Sequence, residues 1–250
     1  MIPAETLQTT VPSVAPGARL VALAEPQSAA AEQYRVLYQR LVRLAARRAA
    51  RVVAITSAGR GEGRTTTAAN LALTAAQEGR SAILVEADLR HPALARLLGL
   101  APRAGLAEVL EGTAELGQAV VRVSGLAVLC AGALREGGGG EATAAAVRSP
   151  RVAGIMDALR AAYDHVFLDA PPALAFADGD RVAAEADVAV LVVRAGVTPR
   201  KVVRLALEAL GDRAVGLVLN DVESAASAGG RWLYADPPDA TPERRRAKGA

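Results

Sequence analysis

The sequence predicts a doubly wound α/β fold, a mostly parallel sheet with helices on both faces. Three observations predict it. Short apolar runs recur along the chain, and they are continuous rather than alternating, which marks strands buried on both faces. Segments with a helical period separate those runs. The chain also has 250 residues, 52% of them hydrophobic, enough to bury a large core and too apolar for a disordered chain.

Residues 1–28 carry Pro3, Pro12, Pro16 and Pro26 without a sustained period, and they read as an extended N-terminal arm. An N-terminal helical segment follows over 29–51. Within it the period holds to about residue 48, with Leu37, Leu41 and Leu44 on one face and Arg40, Arg43 and Arg47 away from it. Residues 51–56 form a buried strand that ends in a glycine-rich turn at 59–63. An alanine-rich helix over 65–78 comes next, closed by Gly79. The alternation continues with a strand at 81–86, short helices at 92–98 and 106–110, and a strand at 126–129. A helix at 149–163, a strand at 165–168 and a helix at 178–186 lead to the valine-rich strand at 188–193. A helix at 199–210 and a strand at 215–219 complete a single domain over 52–222. Residues 137–140 are four glycines and read as a local loop. From 223 to 250 the composition turns to Ser, Gly, Pro and charge, the pattern of a flexible tail.

Composition excludes several classes. The single Cys130 excludes an internal disulfide. No uncharged apolar stretch reaches the roughly 18 residues that span a bilayer, and no basic-then-apolar leader opens the chain, so a cytoplasmic protein is expected. A formal charge of +3 is too small to argue for nucleic acid. The cluster Arg244, Arg245, Arg246 and Lys248 sits in the tail as a solvated end. Of 29 basic residues only Lys201 and Lys248 are lysines, a bias that warns against reading each arginine as a chosen phosphate ligand. Cys130 follows a strand and reads as a small buried apolar residue.

The strand–turn–helix at 52–78 carries the strongest signal. Its turn reads Ala58-Gly59-Arg60-Gly61-Glu62-Gly63-Arg64-Thr65-Thr66. Glycines let backbone N–H groups turn inward around phosphate oxygens, the helix start faces the anion, and a hydroxyl after the basic residue suits Mg²⁺. Gly59, Gly61, Glu62, Gly63, Arg64, Thr65 and Thr66 are therefore the candidate nucleotide-binding residues. Two features depart from the usual P-loop: Ala58 stands at its first glycine and Arg64 at its lysine. Carboxylates follow at strand ends, Glu86 and Asp88 after the second strand and Asp169 after a later one, before Ala170-Pro171-Pro172. Ligands of open α/β sheets sit outside the carboxyl ends of the strands. Acids there hold Mg²⁺ or accept a proton from an attacking hydroxyl.

With these motifs the chain resembles the cytoplasmic ATPase domain of bacterial tyrosine kinases (BY-kinases) of the CapB/CpsD type, within the wider MinD/ParA-like class of P-loop proteins. The resemblance runs from about residue 25 to 222. It rests on Ala31-Glu32-Gln33-Tyr34-Arg35, Gly61-Glu62-Gly63, Thr65-Thr66-Thr67-Ala68-Ala69-Asn70-Leu71-Ala72, Ala87-Asp88-Leu89-Arg90, Asp169-Ala170-Pro171-Pro172, Leu191-Val192-Val193-Arg194 and Val218-Leu219-Asn220. It implies ATP or ADP and Mg²⁺ as ligands, and an autokinase serving capsular or exopolysaccharide synthesis and export. It implies Thr65, Glu86, Asp88 and Asp169 as the metal residues, with Glu86 at a position the family gives to aspartate. Asp88, with Arg64 and Glu86, stands at the catalytic positions, Asp88 as base for a tyrosine hydroxyl. Asn220 matches a position at the adenine edge, and Asp178 an acid that follows the Pro-Pro segment. The resemblance also implies a separate membrane-anchored co-polymerase or chain-length protein as partner, recruiting the chain to the inner face of the membrane. The family's helix motif for self-association is present as Glu32 and Arg35 but has Tyr38 at its third position, and Tyr234, near Trp232, is the remaining tail tyrosine and candidate phosphoacceptor.

Three functional readings stay open at this level: the autokinase, a catalytically weak nucleotide-binding adaptor of the export complex, and a MinD/ParA-type positioning ATPase. Arg64 separates the first two, because phosphoryl transfer depends on a correctly placed cation more than binding does. Gly59 weighs against the third, where that group carries an additional lysine.

Overall fold

The computed structural model describes residues 9–10, 19–101, 103–132, 148–174 and 181–222. Its strands are β1 (Thr9–Thr10), β2 (Val52–Ser57), β3 (Ala82–Glu86), β4 (Val121–Val123), β5 (Leu126–Leu129), β6 (His165–Asp169), β7 (Val188–Arg194) and β8 (Ala214–Asn220). Its helices are α1 (Val21–Ala24), α2 (Ala29–Ala46), α3 (Arg64–Gln77), α4 (Leu94–Leu97), α5 (Leu106–Glu111), α6 (Leu116–Ala119), α7 (Val152–Ala162), α8 (Arg181–Ala184) and α9 (Arg200–Leu210). Together they form the doubly wound α/β fold that the apolar runs predict.

The eight strands lie in one sheet, in the order β1-β4-β5-β3-β6-β2-β7-β8. Every pairing is parallel except β4 with β5. The central strands are buried on both faces and divide their side chains between two cores, whereas the edge strand β8 leaves Leu217 and Leu219 exposed. Val52 and Ala54 face one core, with α5, α7 and α9, while Val53 and Ile55 face the other, with α2 and α3. That is why the strands read as unbroken apolar runs.

Helix α3 is buried from Thr67 to Ala75 without interruption. The sheet covers one side of it, and α2 and the segment before α2 cover the other. Ala68, Ala69, Ala72 and Ala75 make this double coverage feasible, because small side chains admit close approach on both sides. Gly79 takes φ 75° just past the cap residue Glu78, the left-handed ending that its position in the sequence predicts.

Three readings are corrected. The arm is not extended throughout, since residues 21–24 form one helical turn and Leu20 is fully buried in the α2/α3 core. Asn70 organises it. Its Oδ1 accepts from the Ala22 N–H at 3.0 Å, and its Nδ2 donates to the carbonyls of Arg19 and Thr66 at 2.9 Å each. Gln77 Nε2 donates to the Ala22 carbonyl at 2.7 Å. Buried polar groups need such partners, and these lie some fifty residues away in sequence, beyond the reach of a local pattern. The second correction concerns α2, whose buried face is Ala31, Tyr38, Leu41 and Ala45, while Leu44 is exposed. Tyr38 takes the place expected of a leucine because its ring packs edge-on against His165, with centroids 5.9 Å apart. The third is β4, a short strand pairing antiparallel with β5, where no strand is expected before residue 126.

Of the helix expected over 178–186, Arg181–Ala184 is helical. Asp178, the glycines at 137–140 and the tail from 223 to 250 lie outside the described residues.

Two outcomes follow for stability. Asn70→Ala leaves the Ala22 N–H buried without an acceptor, so urea denaturation should show a loss of about 1–3 kcal/mol, with faster proteolysis before residue 29 than in the parent. Burial also holds the His165 pKa below its ordinary value of 6.5. The unfolded chain then takes up the proton first, so His165's contribution is present above that value and lost as pH falls below it. Melting temperatures measured downward from neutral pH should fall less steeply in His165→Gln than in the parent.

Candidate functional site

The site forms at the carboxyl ends of three neighbouring strands, β3, β6 and β2. Register places Asp169 beside Glu86 on one side and beside Ile55 on the other. The turn after β2 leads straight into α3.

Within that turn Gly61 has φ 75° and Gly63 has φ 87°, conformations that favour glycine. Gly63 caps α3 without a side chain, so no side-chain oxygen competes for the first amides of the helix, which are the groups that bind anions. The turn is braced from inside and outside. Ser57 Oγ donates to the Gly59 carbonyl at 2.6 Å, and the Ala58 N–H donates to Glu62 Oε2 at 2.9 Å. Thr198 Oγ1, after β7, donates to Glu62 Oε1 at 2.6 Å, and Asn220 Nδ2, at the end of β8, donates to the Glu62 carbonyl at 2.9 Å. Glu62 is therefore a buried brace whose carboxylate is spent on the loop's own geometry. The role of Thr198 is not legible in sequence order, since it lies 136 residues from Glu62.

Arg64, the first residue of α3, turns its guanidinium into the sheet. Its Nε donates to Asp169 Oδ1 at 2.9 Å and its Nη2 to Asp88 Oδ2 at 2.7 Å. The three side chains are only 12%, 4% and 1% exposed for Arg64, Asp88 and Asp169 respectively. Burial pushes the Asp169 carboxyl upward, opposed by the Arg64 charge and by a hydrogen bond from Thr65. Asp88 also accepts from the His91 N–H at 3.1 Å. The P-loop strand is tied to the segment after β6 by Thr56 Oγ1, which donates to the Pro171 carbonyl at 2.6 Å.

Glu86 faces a different task from the one its position implies. Its Oε1 accepts from the N–H groups of Ala93 and Leu94, and its Oε2 from that of Ala131 at 2.9 Å. Burial raises its pKa, while the three amides pull the other way. Both oxygens are spent on fixing the turn into α4 and the end of β5. The structure thus brings Arg64, Asp88, Asp169 and Thr65 together and leaves Glu86 as an anchor beside them.

The donor set fits Mg²⁺. That ion takes hard oxygen ligands, commonly one or two carboxylates together with substrate phosphates, and Asp88, Asp169 and the Thr65 hydroxyl are of that kind. Among the described residues no group of three or more His, Cys, Asp or Glu side chains is arranged to hold a metal alone, so phosphate oxygens would complete the set. The guanidinium now between the two carboxylates shows that the pocket accommodates positive charge.

Elsewhere, Glu32 and Arg35 pair with each other at 2.7 Å on the surface, while Tyr38, the third position of that pattern, is buried. Arg60 is exposed at the loop tip. Burial pushes the Cys130 thiol up to about 12, which suits an inert core residue. Tyr234 and Trp232 lie outside the described residues. No helix among the described residues is long and apolar enough to cross a membrane.

Comparison with known proteins agrees with this geometry. A family model described as an AAA domain matches residues 50–197. The tyrosine-protein kinase YwqD of Bacillus subtilis (strain 168) is 35% identical over 206 residues, covering 80% of this chain and 85% of that protein. The succinoglycan biosynthesis transport protein ExoP of Rhizobium meliloti (strain 1021) is 32% identical over 203 residues, 79% of this chain and 26% of its own length. Among solved structures, the kinase domain of the Escherichia coli tyrosine kinase ETK superposes with a TM-score of 0.74 at 26% identity, covering 81% of this chain and 80% of that one. The septum site-determining protein MinD of Pyrococcus horikoshii OT3, complexed with Mg-ADP, gives a TM-score of 0.56 at 25% identity, covering 71% and 76%.

The braced turn makes one substitution decisive. A Cβ on Gly63 would lie 2.0 Å from Asn220 Nδ2 at a φ of 87°, so Gly63→Ala must break the Asn220–Glu62 contact or distort the helix start. Calorimetric titration with ADP should show at least about a tenfold loss of affinity, the equivalent of 1.4 kcal/mol, while circular dichroism retains the α/β signature.

Proposed function

The chain belongs to the AAA domain family and stands among the bacterial tyrosine-protein kinases, and from that premise we propose that residues 52–222 form an ATP-dependent protein-tyrosine kinase domain serving capsular or exopolysaccharide synthesis and export. The convergence of the glycine turn, Arg64, Asp88 and Asp169 at the carboxyl ends of β2, β3 and β6 carries this reading. ExoP, named for biosynthesis and transport of a polysaccharide, supports the process assigned.

In this reading the amides of 61–65 and Arg64 hold the phosphates of ATP, and Asn220 lies at the adenine edge. Asp88 accepts the phenolic proton of the attacking tyrosine. The phenol oxygen bonds to the γ-phosphorus as the bond to the β–γ bridging oxygen breaks, and ADP leaves with that electron pair. Thr65, Asp169 and Asp88 would hold Mg²⁺, which would supply positive charge against that gathered on the phosphates. Glu86 acts only through the backbone it fixes, so it is a positioning residue. Helix α2 and residues 19–28 before it cover α3 outside this unit, and Tyr234, the one tyrosine of the segment 223–250, serves as the acceptor. A membrane-anchored protein of the export system supplies the anchor and brings the chain to the inner face of the membrane, and the Glu32–Arg35 surface is available for self-association.

A second reading, the catalytically weak adaptor, is favoured by one observation. Arg64 spends two donors on the acids that the reaction needs. Guanidinium and ammonium are not interchangeable in a tight cradle, so turnover suffers more than binding.

Calorimetry and a phosphotyrosine assay on the parent, Arg64→Lys, Asp88→Asn and Tyr234→Phe separate the two. ADP should bind the parent and Arg64→Lys. Arg64→Lys should raise phosphotyrosine formation on the order of 10- to 100-fold, the scale of one correctly placed transition-state contact, and Asp88→Asn should abolish it. Parent activity equal to that of Arg64→Lys excludes the adaptor. Absence of nucleotide binding at millimolar ATP overturns both readings.

A further inference from the structure

We propose that Arg64 is the resident cation of the Asp88–Asp169 pair, and that the divalent metal enters only after nucleotide phosphate has drawn its guanidinium away. The inference rests on the nucleotide-site reading above and adds an order of events to it.

The two contacts, 2.9 Å to Asp169 and 2.7 Å to Asp88, use two neighbouring donors, Nε and Nη2, of one planar group. A guanidinium's spread of donors spans two separate carboxylates as a compact ammonium does less readily. The group is buried, so screening by solvent and salt is weak. Metal and Arg64 therefore seek the same oxygens in the same small volume. An ion arriving alone must displace a buried cation and leave it without a partner, which is costly.

Phosphate changes that balance. Arg64 is the first residue of α3, directly after the uncapped Gly63, so a phosphate bound at the helix start lies beside the arginine's own backbone. It offers an alternative carboxylate-like partner with good bidentate geometry. Once the guanidinium moves to it, Asp88 and Asp169 are left as an unpaired acidic pair with Thr65 beside them, a set that then needs a cation. Nucleotide and metal become positively coupled, and the coupling is reciprocal. Two nearby cations, His91 and Arg60, are placed differently from Arg64. His91 Nδ1 lies 3.8 Å from Asp88 on the far oxygen and is half exposed, and Arg60 faces solvent at the loop tip.

The test is Mn²⁺ binding to the full chain, read by electron paramagnetic resonance and by thermal melting, with and without ADP. In the parent, Mn²⁺ alone should bind weakly and leave the melting temperature unmoved, and ADP should tighten Mn²⁺ binding by at least about tenfold. Arg64→Gln should melt lower than the parent, bind one Mn²⁺ without nucleotide, and regain several degrees of melting temperature when it does. Adding Asp88→Asn to Arg64→Gln should remove that binding. Equal Mn²⁺ affinity in parent and Arg64→Gln without ADP overturns the proposal, as does a folded Arg64→Gln that binds none. Where Arg64→Gln does not fold, Arg64→Lys carries the same comparison, and nucleotide-free Mn²⁺ affinity no higher than the parent's overturns the proposal. Calorimetry with ADP in EDTA keeps the two ideas apart. Loss of ADP binding there defeats the nucleotide-site reading whatever Mn²⁺ does, whereas ADP binding combined with ADP-independent Mn²⁺ uptake defeats the ordering alone.

Discussion

A single buried guanidinium ties the functional end of the molecule together. Arg64 is contributed by the start of α3, Asp88 by the turn after β3 and Asp169 by the end of β6, so one side chain joins three segments, the partners lying 24 and 105 residues from it. Taking a cation and two carboxylates out of water is expensive, and their attraction repays this only with good geometry and further hydrogen bonds. Those further bonds are present in the His91 amide on Asp88 and in Thr65 on Asp169. The cluster therefore dictates where the turn, the strand ends and the helix start can sit relative to one another.

The parallel register is what makes such a cluster reachable. With β6 between β3 and β2, Asp169 has Glu86 on one side and the P-loop strand on the other. This much was legible in the sequence: continuous apolar runs announced strands buried on both faces, and acids at their ends announced where a ligand would sit. The P-loop itself was legible because its demands are local. Glycines at 61 and 63 must take left-handed conformations, and only their neighbours in the chain decide that.

What stayed illegible depends on partners distant in sequence. Nothing near Glu62 predicts that Thr198 and Asn220 will hold it, and nothing near Asn70 predicts that it will dock the Arg19–Ala22 backbone. Glu86 shows the same limit from another side. Its place at a strand end suggested a metal ligand, yet the amides of Ala93, Leu94 and Ala131 converge on it, because α4 and the end of β5 leave those donors facing a buried volume where only an acid can satisfy them. On α2 the leucine spacing was right for Leu41 and for Leu37, which packs against the core, but missed Leu44, which is exposed, and Tyr38, which is buried edge-on against His165.

The scarcity of lysine, two among 29 basic residues, acquires a physical consequence at position 64. A coding bias toward arginine is neutral on a solvated helix face, where either cation only needs water. In a cradle built of short contacts it is not neutral, because the longer, planar group reaches the acids after β3 and at the end of β6. Arg64 does this with two neighbouring donors of its guanidinium, Nε to Asp169 and Nη2 to Asp88. The substitution thus preserves the fold, since it supplies the charge that the two buried aspartates require. It also changes the chemistry of the site, because the same charge now stands where the reaction would place its metal.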